Sequence, residues 1–370
     1  MAEERVAPDE FDFDRHRGAA IEGYRQVQPL YLSLAEVAQR ILKDTLDGAD
    51  IRVHSVEARV KSLESFANKA CKPSEAEPNR PKYPDPVHEI TDLAGVRVIT
   101  FLPSVVTTVC EHIEREFTVL EKTDKSAELM DEGRFGYQSV HYIAQMSEQR
   151  DRLAEYQRFR GLKFEIQVRT ILQHAWAELE HDIQYKTATV IPATIRRRFV
   201  ALAGLLEMAD REFEALQRDD ETLRREARHS VEIGNLAGVE ITPDALRSYL
   251  DRRLGADGRV SNWSYGLLAN HLRKLGFQTL SQVDACIRGY DDDRVSRAVY
   301  GTRHGQITRT ELTVLASMGQ NYIARHPWGK PGPDGAAPEY DWVAAWNRYL
   351  GRIRDAGIEI GSFDPQQHHG

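Results

Sequence analysis

The sequence predicts an α/β sheet domain followed by a small α-helical domain, and two observations carry that reading. Apolar, β-branched runs GVRVITF (95–101), SVHYIAQM (139–146) and LKFEIQV (162–168) alternate with helical stretches at 104–116 and 170–183. Strands interleaved with helices make an α/β sheet. Beyond about residue 242 the strand pattern stops, and short helical segments follow one another to the end of the chain.

In chain order, residues 1–13 read as a loose polar arm. Ile21, Tyr24, Val27, Tyr31, Leu34, Val37, Ile41 and Leu42 then recur every three or four residues, predicting an amphipathic helix over 19–47 that contains Pro29. IRVHSVEARV (51–60) alternates like a strand, and 62–70 reads as a short helix. Pro73, Pro78, Pro81, Pro84 and Pro86 exclude regular structure from 72–86. A long charged helix, or a helix pair, is expected over 193–230. Gly, Asn and Pro interrupt the pattern at 231–242, and helices are expected at 242–254, 263–276, 279–288, 308–325 and 340–356.

The chain has 370 residues, 41% hydrophobic and 29% charged, with a mean hydropathy of -0.52. No run approaches the roughly 18 apolar residues of a membrane span, and the charged N-terminus lacks the apolar stretch of a secretory signal. The three cysteines, Cys71, Cys110 and Cys286, lie far apart and suggest neither a disulfide framework nor a zinc site. These features predict a cytoplasmic protein with no membrane partner. A net charge of -8 disfavours general coating of nucleic acid, while leaving room for a local basic patch.

Neither a Gly-x-x-x-x-Gly-Lys-Ser/Thr loop nor a Gly-x-Gly-x-x-Gly turn occurs, so any nucleotide must be held by side-chain cations and a metal. RVKSLESFANK (59–69) offers such cations. Arg59 and Lys61 share one face of an extended segment, and Ser65 and Lys69 stand one turn apart on the following helix. Asp92 precedes the apolar strand GVRVITF, and Arg97 lies inside it, where a cation needs a partner. In GRFGYQSVHYIA (133–144), Tyr137 offers a plane for a base, and Ser139 and His141 point the same way along the strand. In KFEIQVRTILQHAWAELEHDIQYK (163–186), Glu165, Gln167 and Arg169 put three polar groups on one strand face. Trp176, Glu180, His181, Tyr185 and Lys186 follow on the helix. Asp92 and Glu165, at the ends of neighbouring strands, would make a Mg²⁺ site of oxygen ligands.

The series RVKSLESFANK, DLAGVRVITF, GYQSVH and EIQVRT…HAWAELEHDIQYK resembles the synthetase domain of the RelA/SpoT family, in the family's order, over about 51–190. The resemblance implies a mixed sheet of about five strands and the synthesis of (p)ppGpp by transfer of pyrophosphate from ATP to the 3′-hydroxyl of GDP or GTP. It implies that Arg59, Lys61, Ser65 and Lys69 bind ATP, with Arg97 stacking on adenine. Asp92 and Glu165 would hold Mg²⁺, and Glu165 would help deprotonate the attacking hydroxyl. Tyr137, Ser139, His141 and Gln167 fall to the acceptor. Arg169, Glu180, His181 and Lys186 match further motif positions. Gly133 stands where the family usually carries Lys, and Arg134 is the substitute cation.

On this reading residues 1–50 are an arm and helix, 51–190 the catalytic core, and 191–235 a long helical extension. Residues 236–326 are an α-helical domain, and 327–370 a Pro/Gly linker with an aromatic tail helix. About fifty residues ahead of the synthetase motifs leave no room for a hydrolase domain, so a synthesis-only enzyme resembling the small alarmone synthetases is expected. Some family members are toxins that modify the 3′-terminal adenosine of tRNA, and a subset carries a fused antitoxin. A tRNA acceptor, and a C-terminal domain that binds a regulator or phage component, therefore stay open. So does assembly into an oligomer. Arg196–Arg198 with Arg224, Arg225 and Arg228 could guide tRNA or form a solvated, ion-paired helix face. Trp342, Trp346, Leu350 and Ile353 make a helical stripe suited to core packing or to docking on the synthetase.

Overall fold

A computed structural model of the chain describes residues 11–124, 139–186, 193–257, 260–330 and 340–368. The chain divides into two compact units, Met1–Leu216 and Gln217–Gly370. The first contains helix α1 (Phe13–Gly48), strand β1 (Ser55–Val60), α2 (Leu63–Ala70), β2 (Ala94–Thr100), α3 (Pro103–Glu116), β3 (Phe117–Asp124), β4 (Val140–Met146), β5 (Phe164–Thr170) and α4 (Ile171–Lys186). Helix α5 (Ala193–Glu232) contains the division.

The sheet order is β1-β2-β5-β4-β3. β2 and β5 run parallel, whereas β1–β2, β4–β5 and β3–β4 are antiparallel, so the five-stranded sheet is mixed. Its two faces differ because successive strand residues point opposite ways. Val96, Val98, Tyr142, Ala144, Phe164, Ile166 and Val168 are buried on one face, in a core shared with Tyr24, Leu34, Ala38 and Leu42 of α1 and Val109 and Ile113 of α3. The register sets Glu57, Arg97, Gln167 and His141 in one row across the other face. Arg59, Gly95, Glu165 and Ile143 form the next. One face builds the core, and its opposite is polar.

The structure departs from the sequence reading at several elements. Residues 51–54 are irregular, and the strand starts at Ser55. β3, which the hydrophobic pattern did not mark, is an edge strand with a bulge between Val119 and Glu121 and mostly exposed positions. Charged side chains and bulges suit an unpaired edge and erase the apolar signature. The long charged segment is one helix, and α1 runs through Pro29.

The first half of α5 is tied to the sheet unit by polar contacts. Thr170 Oγ1 donates to Asp210 (2.7 Å), the Ser104 backbone N–H to Glu214 (3.0 Å), and Trp176 Nε1 to the Phe199 carbonyl (3.1 Å).

The second unit is helical among its described residues: α6 (Pro243–Leu254), α7 (Asn262–Leu275), α8 (Leu280–Ile287), α9 (Asp292–Tyr300), α10 (Gln306–Met318), α11 (Gln320–Arg325) and α12 (Trp342–Asp355). α9 is an element the sequence pattern did not single out. Its buried contribution is only Val295, Ser296 and Val299 amid charged residues. The stretch expected as one helix over 308–325 is two, broken at Gly319. Trp346, Leu350 and Ile353 of α12 enter this unit's own core beside Leu250, Leu272 and Leu315.

Gly319 adopts φ +55°, and a Cβ there would lie 2.5 Å from the Gly361 carbonyl oxygen. Both the backbone and the space forbid a side chain. Gly319→Ala is expected to cost at least about 2 kcal/mol of stability, read from urea denaturation by tryptophan fluorescence. An unshifted midpoint would show that this break tolerates a side chain.

Candidate active site

The polar sheet face and the β1–α2 corner bring most of the described candidate residues together. The corner is held from below. Tyr24 of α1 is fully buried and stacks on Phe66 at 4.2 Å, and its hydroxyl donates to the Lys61 carbonyl at 2.7 Å. Burial, with smaller contributions around it, pushes that hydroxyl's pKa up to about 12, so it stays a donor at neutral pH. Gln28 Nε2 donates to the same carbonyl at 3.2 Å, and the Lys61 N–H donates to the Leu93 carbonyl. Lys61 and the segment leading to Asp92 are thereby fixed side by side. Sequence pattern marked Tyr24 only as a core position and did not mark Gln28.

Lys61 Nζ donates to Asp92 Oδ2 at 2.7 Å, and Lys69 Nζ lies 3.0 Å from Oδ1. Burial pushes the Asp92 pKa up, but the hydrogen bonds and charges of the two lysines outweigh it, and the net shift is downward. Ser65, on the same corner, takes part in the N-cap of α2: its N–H and its hydroxyl both bond Ser62 Oγ.

Glu165 stands at the start of β5, beside Gly95 of the parallel strand β2. His141 Nδ1 lies 2.9 Å from Glu165 Oε1, and Gln167 Nε2 donates to Oε2 at 2.9 Å. An ionised carboxylate only accepts, so the imidazole carries its proton on Nδ1 here. Its Nε2 is buried with no hydrogen-bond partner among the described residues. Burial raises the Glu165 pKa, yet the bond and charge of His141 lead the opposing effects, and it too ends below the ordinary value. The Asp92 charge acts on Glu165 in the raising direction, which places the two carboxylates in one electrostatic neighbourhood. Between them, a Cβ on Gly95 would come within 3.3 Å of Arg59 Cγ and 3.6 Å of the Glu165 carbonyl oxygen. The missing side chain lets the Arg59 stem pack closely over the strand here.

A third cluster was not anticipated. Glu178 of α4 accepts from Arg97 Nη1 (2.9 Å) and Arg169 Nη2 (3.3 Å), and His174 Nδ1 lies 3.7 Å away. Glu178 thus supplies the partner that Arg97 needs inside a strand, and it orients the guanidinium plane. The available signal was its position one turn after His174 on the helix entered from Arg169. Glu180, two residues on, lies about 200° around the helix. Burial alone raises its pKa, so the structure does not bring it into this charge cluster.

Ser139 is buried, with its hydroxyl lacking a hydrogen-bond partner among the described residues. Arg134 and Tyr137 lie outside the described residues, as do the side chains of His181 and Lys186. No group of three or more His, Cys, Asp or Glu gathers to hold a metal among the described residues. Two neighbouring carboxylates with hard oxygen donors suit Mg²⁺, which typically takes one or two protein carboxylates and keeps waters or phosphate oxygens for the rest.

Residues 58–190 match the region found in RelA / SpoT proteins, the stretch that contains this site. This stretch of the sheet unit is therefore similar to the RelA/SpoT region. Two curated relatives are similar. GTP pyrophosphokinase YwaC of Bacillus subtilis is 27% identical over 168 residues, covering 45% of this chain and 75% of that protein. GTP pyrophosphokinase YjbM of the same organism is 28% identical over 173 residues, covering 45% and 72%. The small alarmone synthetase 1 structure from Bacillus subtilis overlaps 54% of this chain and 99% of that one, with 21% identity and a TM-score of 0.44. No helix among the described residues is long and apolar enough to cross a membrane.

Because the Asp92 pKa is lower in the fold than in the unfolded chain, its pairing contributes fully above the ordinary aspartate value of about 4. It is lost as pH falls through the lowered folded value. Wild-type protein is expected to lose about 1–3 kcal/mol more than Asp92→Asn on acidification below that ordinary value, measured by urea melts. Parallel losses in both proteins would show that the pair carries no linkage.

Proposed function

We propose that the sheet unit is an ATP-dependent pyrophosphokinase that transfers the β,γ-pyrophosphate of ATP to the 3′-hydroxyl of GDP or GTP, releasing AMP. The observation that carries this reading is the convergence of Asp92 and Glu165 at the starts of parallel neighbouring strands, with Lys61 and Lys69 on Asp92 and Arg59 beside Gly95. The names of the two curated relatives support the reaction class.

In the reaction, a bond forms between the ribose 3′-oxygen and the β-phosphorus, and the bond from that phosphorus to the oxygen bridging to AMP breaks. Lys61, Lys69 and Arg59 neutralise the triphosphate and hold it in line. Asp92 and Glu165 would hold Mg²⁺, which supplies charge neutralisation at the phosphates when bound. Arg97, its plane set by Glu178, offers a stacking surface for adenine. Glu165 accepts the proton of the attacking hydroxyl, and the bond from His141 keeps that carboxylate oriented. His141 Nε2, without a partner among the described residues, would receive a hydrogen bond from the acceptor. Tyr137 and Arg134 would complete the acceptor side.

The test is incubation with γ-labelled ATP and Mg²⁺, offering GDP, GTP and deacylated tRNA separately. Labelled guanosine tetra- or pentaphosphate is the expected product. Label on tRNA alone would replace the acceptor and retain the class, and no transfer to any of the three would overturn the reading. Glu165→Gln is expected to lower kcat by about 10²–10⁴; wild-type turnover in that variant would move the base elsewhere. Glu178→Gln, a positioning change, is expected to raise KM for ATP by about tenfold. Leaving KM for the acceptor unchanged would separate this from general misfolding.

A further inference from the structure

The second unit contains a bowl of aromatic side chains with one carboxylate, and nothing in the proposed reaction uses it. Tyr300, Tyr322, Trp328, Trp342, Trp346 and Tyr349 line a cavity of about 80 Å³, together with Glu311 and the aliphatic Leu312 and Leu315. Three of the chain's five tryptophans stand in this one wall. Their rings do not form a single stack. Trp328 and Trp342 are 4.9 Å apart at 41°, Trp342 and Trp346 6.0 Å at 29°, and Tyr322 and Trp346 5.4 Å at 87°. Tyr300 and Tyr349 meet at 62° with their hydroxyls 3.3 Å apart. Rings at such varied inclinations wall the cavity from several sides. Tyr300 and Trp328 are 41% and 38% exposed, so the bowl is reached from solvent.

The chemistry of the wall selects the guest. Aromatic faces carry negative potential and attract cations. Glu311 adds a carboxylate, and its described partner is His271 Nδ1 at 3.3 Å. Its carboxylate acts electrostatically on both Tyr300 and Tyr322. Among the described residues, no lysine or arginine lies over any of these six rings. His326, buried against Tyr322, Trp328 and Trp346, is held neutral by burial, with a pKa of about 3. A phosphate-bearing guest would meet like charge at Glu311. A neutral apolar guest would strip water from that carboxylate without compensation. A guest that is apolar at its surface and carries a diffuse positive charge satisfies both the rings and the carboxylate.

We propose that this bowl is a binding site for an organic cation of the trimethylammonium class, giving the helical unit a ligand of its own. The charge must be alkylated, because a bare ammonium ion keeps its water more strongly than the rings can replace it. A free quaternary amine and a trimethylated lysine side chain share this head group.

The experiment titrates the full chain, by tryptophan fluorescence at constant ionic strength, with choline, with Nε-trimethyllysine, and with 3,3-dimethylbutan-1-ol, the neutral isostere of choline. Saturable binding of at least one cation, at least about tenfold tighter than the isostere, is the expected result. Which cation binds more tightly identifies the source of the head group. Glu311→Gln and Trp342→Leu are each expected to weaken binding by at least about threefold with an unchanged far-ultraviolet circular dichroism spectrum. If Trp342→Leu fails to fold, the choline–isostere comparison and Glu311→Gln still decide. Equal affinity for choline and its isostere, or no spectral change up to tens of millimolar cation, overturns the proposal. The readout is independent of pyrophosphate transfer, so the fate of that reading does not bear on this one.

Discussion

The parallel pairing of β2 with β5 is the constraint on which the site depends. Because the two strands run the same way, their starts lie at one end of the sheet, where Asp92, just ahead of β2, comes into the electrostatic neighbourhood of Glu165. The register of this pair also aligns Arg97 with Gln167 and Gly95 with Glu165. A slip by one residue would send every one of these side chains into the apolar core, where Val96, Val98, Ile166 and Val168 now sit. The hydrophobic face thus enforces the geometry of the polar one. Packing α1 and α3 against it fixes the register, and the register fixes which charges meet.

Like and unlike charges are balanced on that face. Asp92 is held between two lysines, Glu165 between an imidazole and an amide, and Glu178 between two guanidinium groups. Burial pushes the pKa of each carboxylate upward, yet all three end below the ordinary value because their partners outweigh desolvation. Each carboxylate of this face is thus kept ionised by the donors and cations around it. The helical unit follows another rule. Its cavity is walled by rings, and the one carboxylate there has no cationic side chain over its neighbouring π-faces among the described residues.

Much of the site was legible because its residues lie close along the chain at the spacing of the element that bears them. Glu165, Gln167 and Arg169 alternate, which in a strand means one face, and the polar face carries Glu165 and Gln167 as expected. Arg59, Lys61, Ser65 and Lys69 were read as one strand-to-helix corner, but that Lys61 and Lys69 meet at Asp92 was not visible in the local pattern. Glu178, Tyr24 and Gln28 were missed for a common reason. Each has a partner 33 to 81 residues away that no local pattern reveals, although Glu178 also meets Arg169 and His174 nearby along the chain. β3 escaped because an exposed edge strand with a bulge has no alternating apolar signature.

By itself the sequence determined the sheet-then-helices order, the positions of most elements and the four motif blocks, since these follow from hydrophobic period, turn residues and short-range spacing. Tertiary structure alone decided what those residues touch. It closed Lys61 and Lys69 onto one carboxylate, gave Arg97 its counter-charge, and broke the long C-terminal helix at Gly319 where two backbones meet. It also gathered Tyr300, Tyr322 and three tryptophans around Glu311. The physical reason is range. Backbone propensity and side-chain period act over a few residues, whereas ion pairing and enclosure depend on where packing brings distant segments.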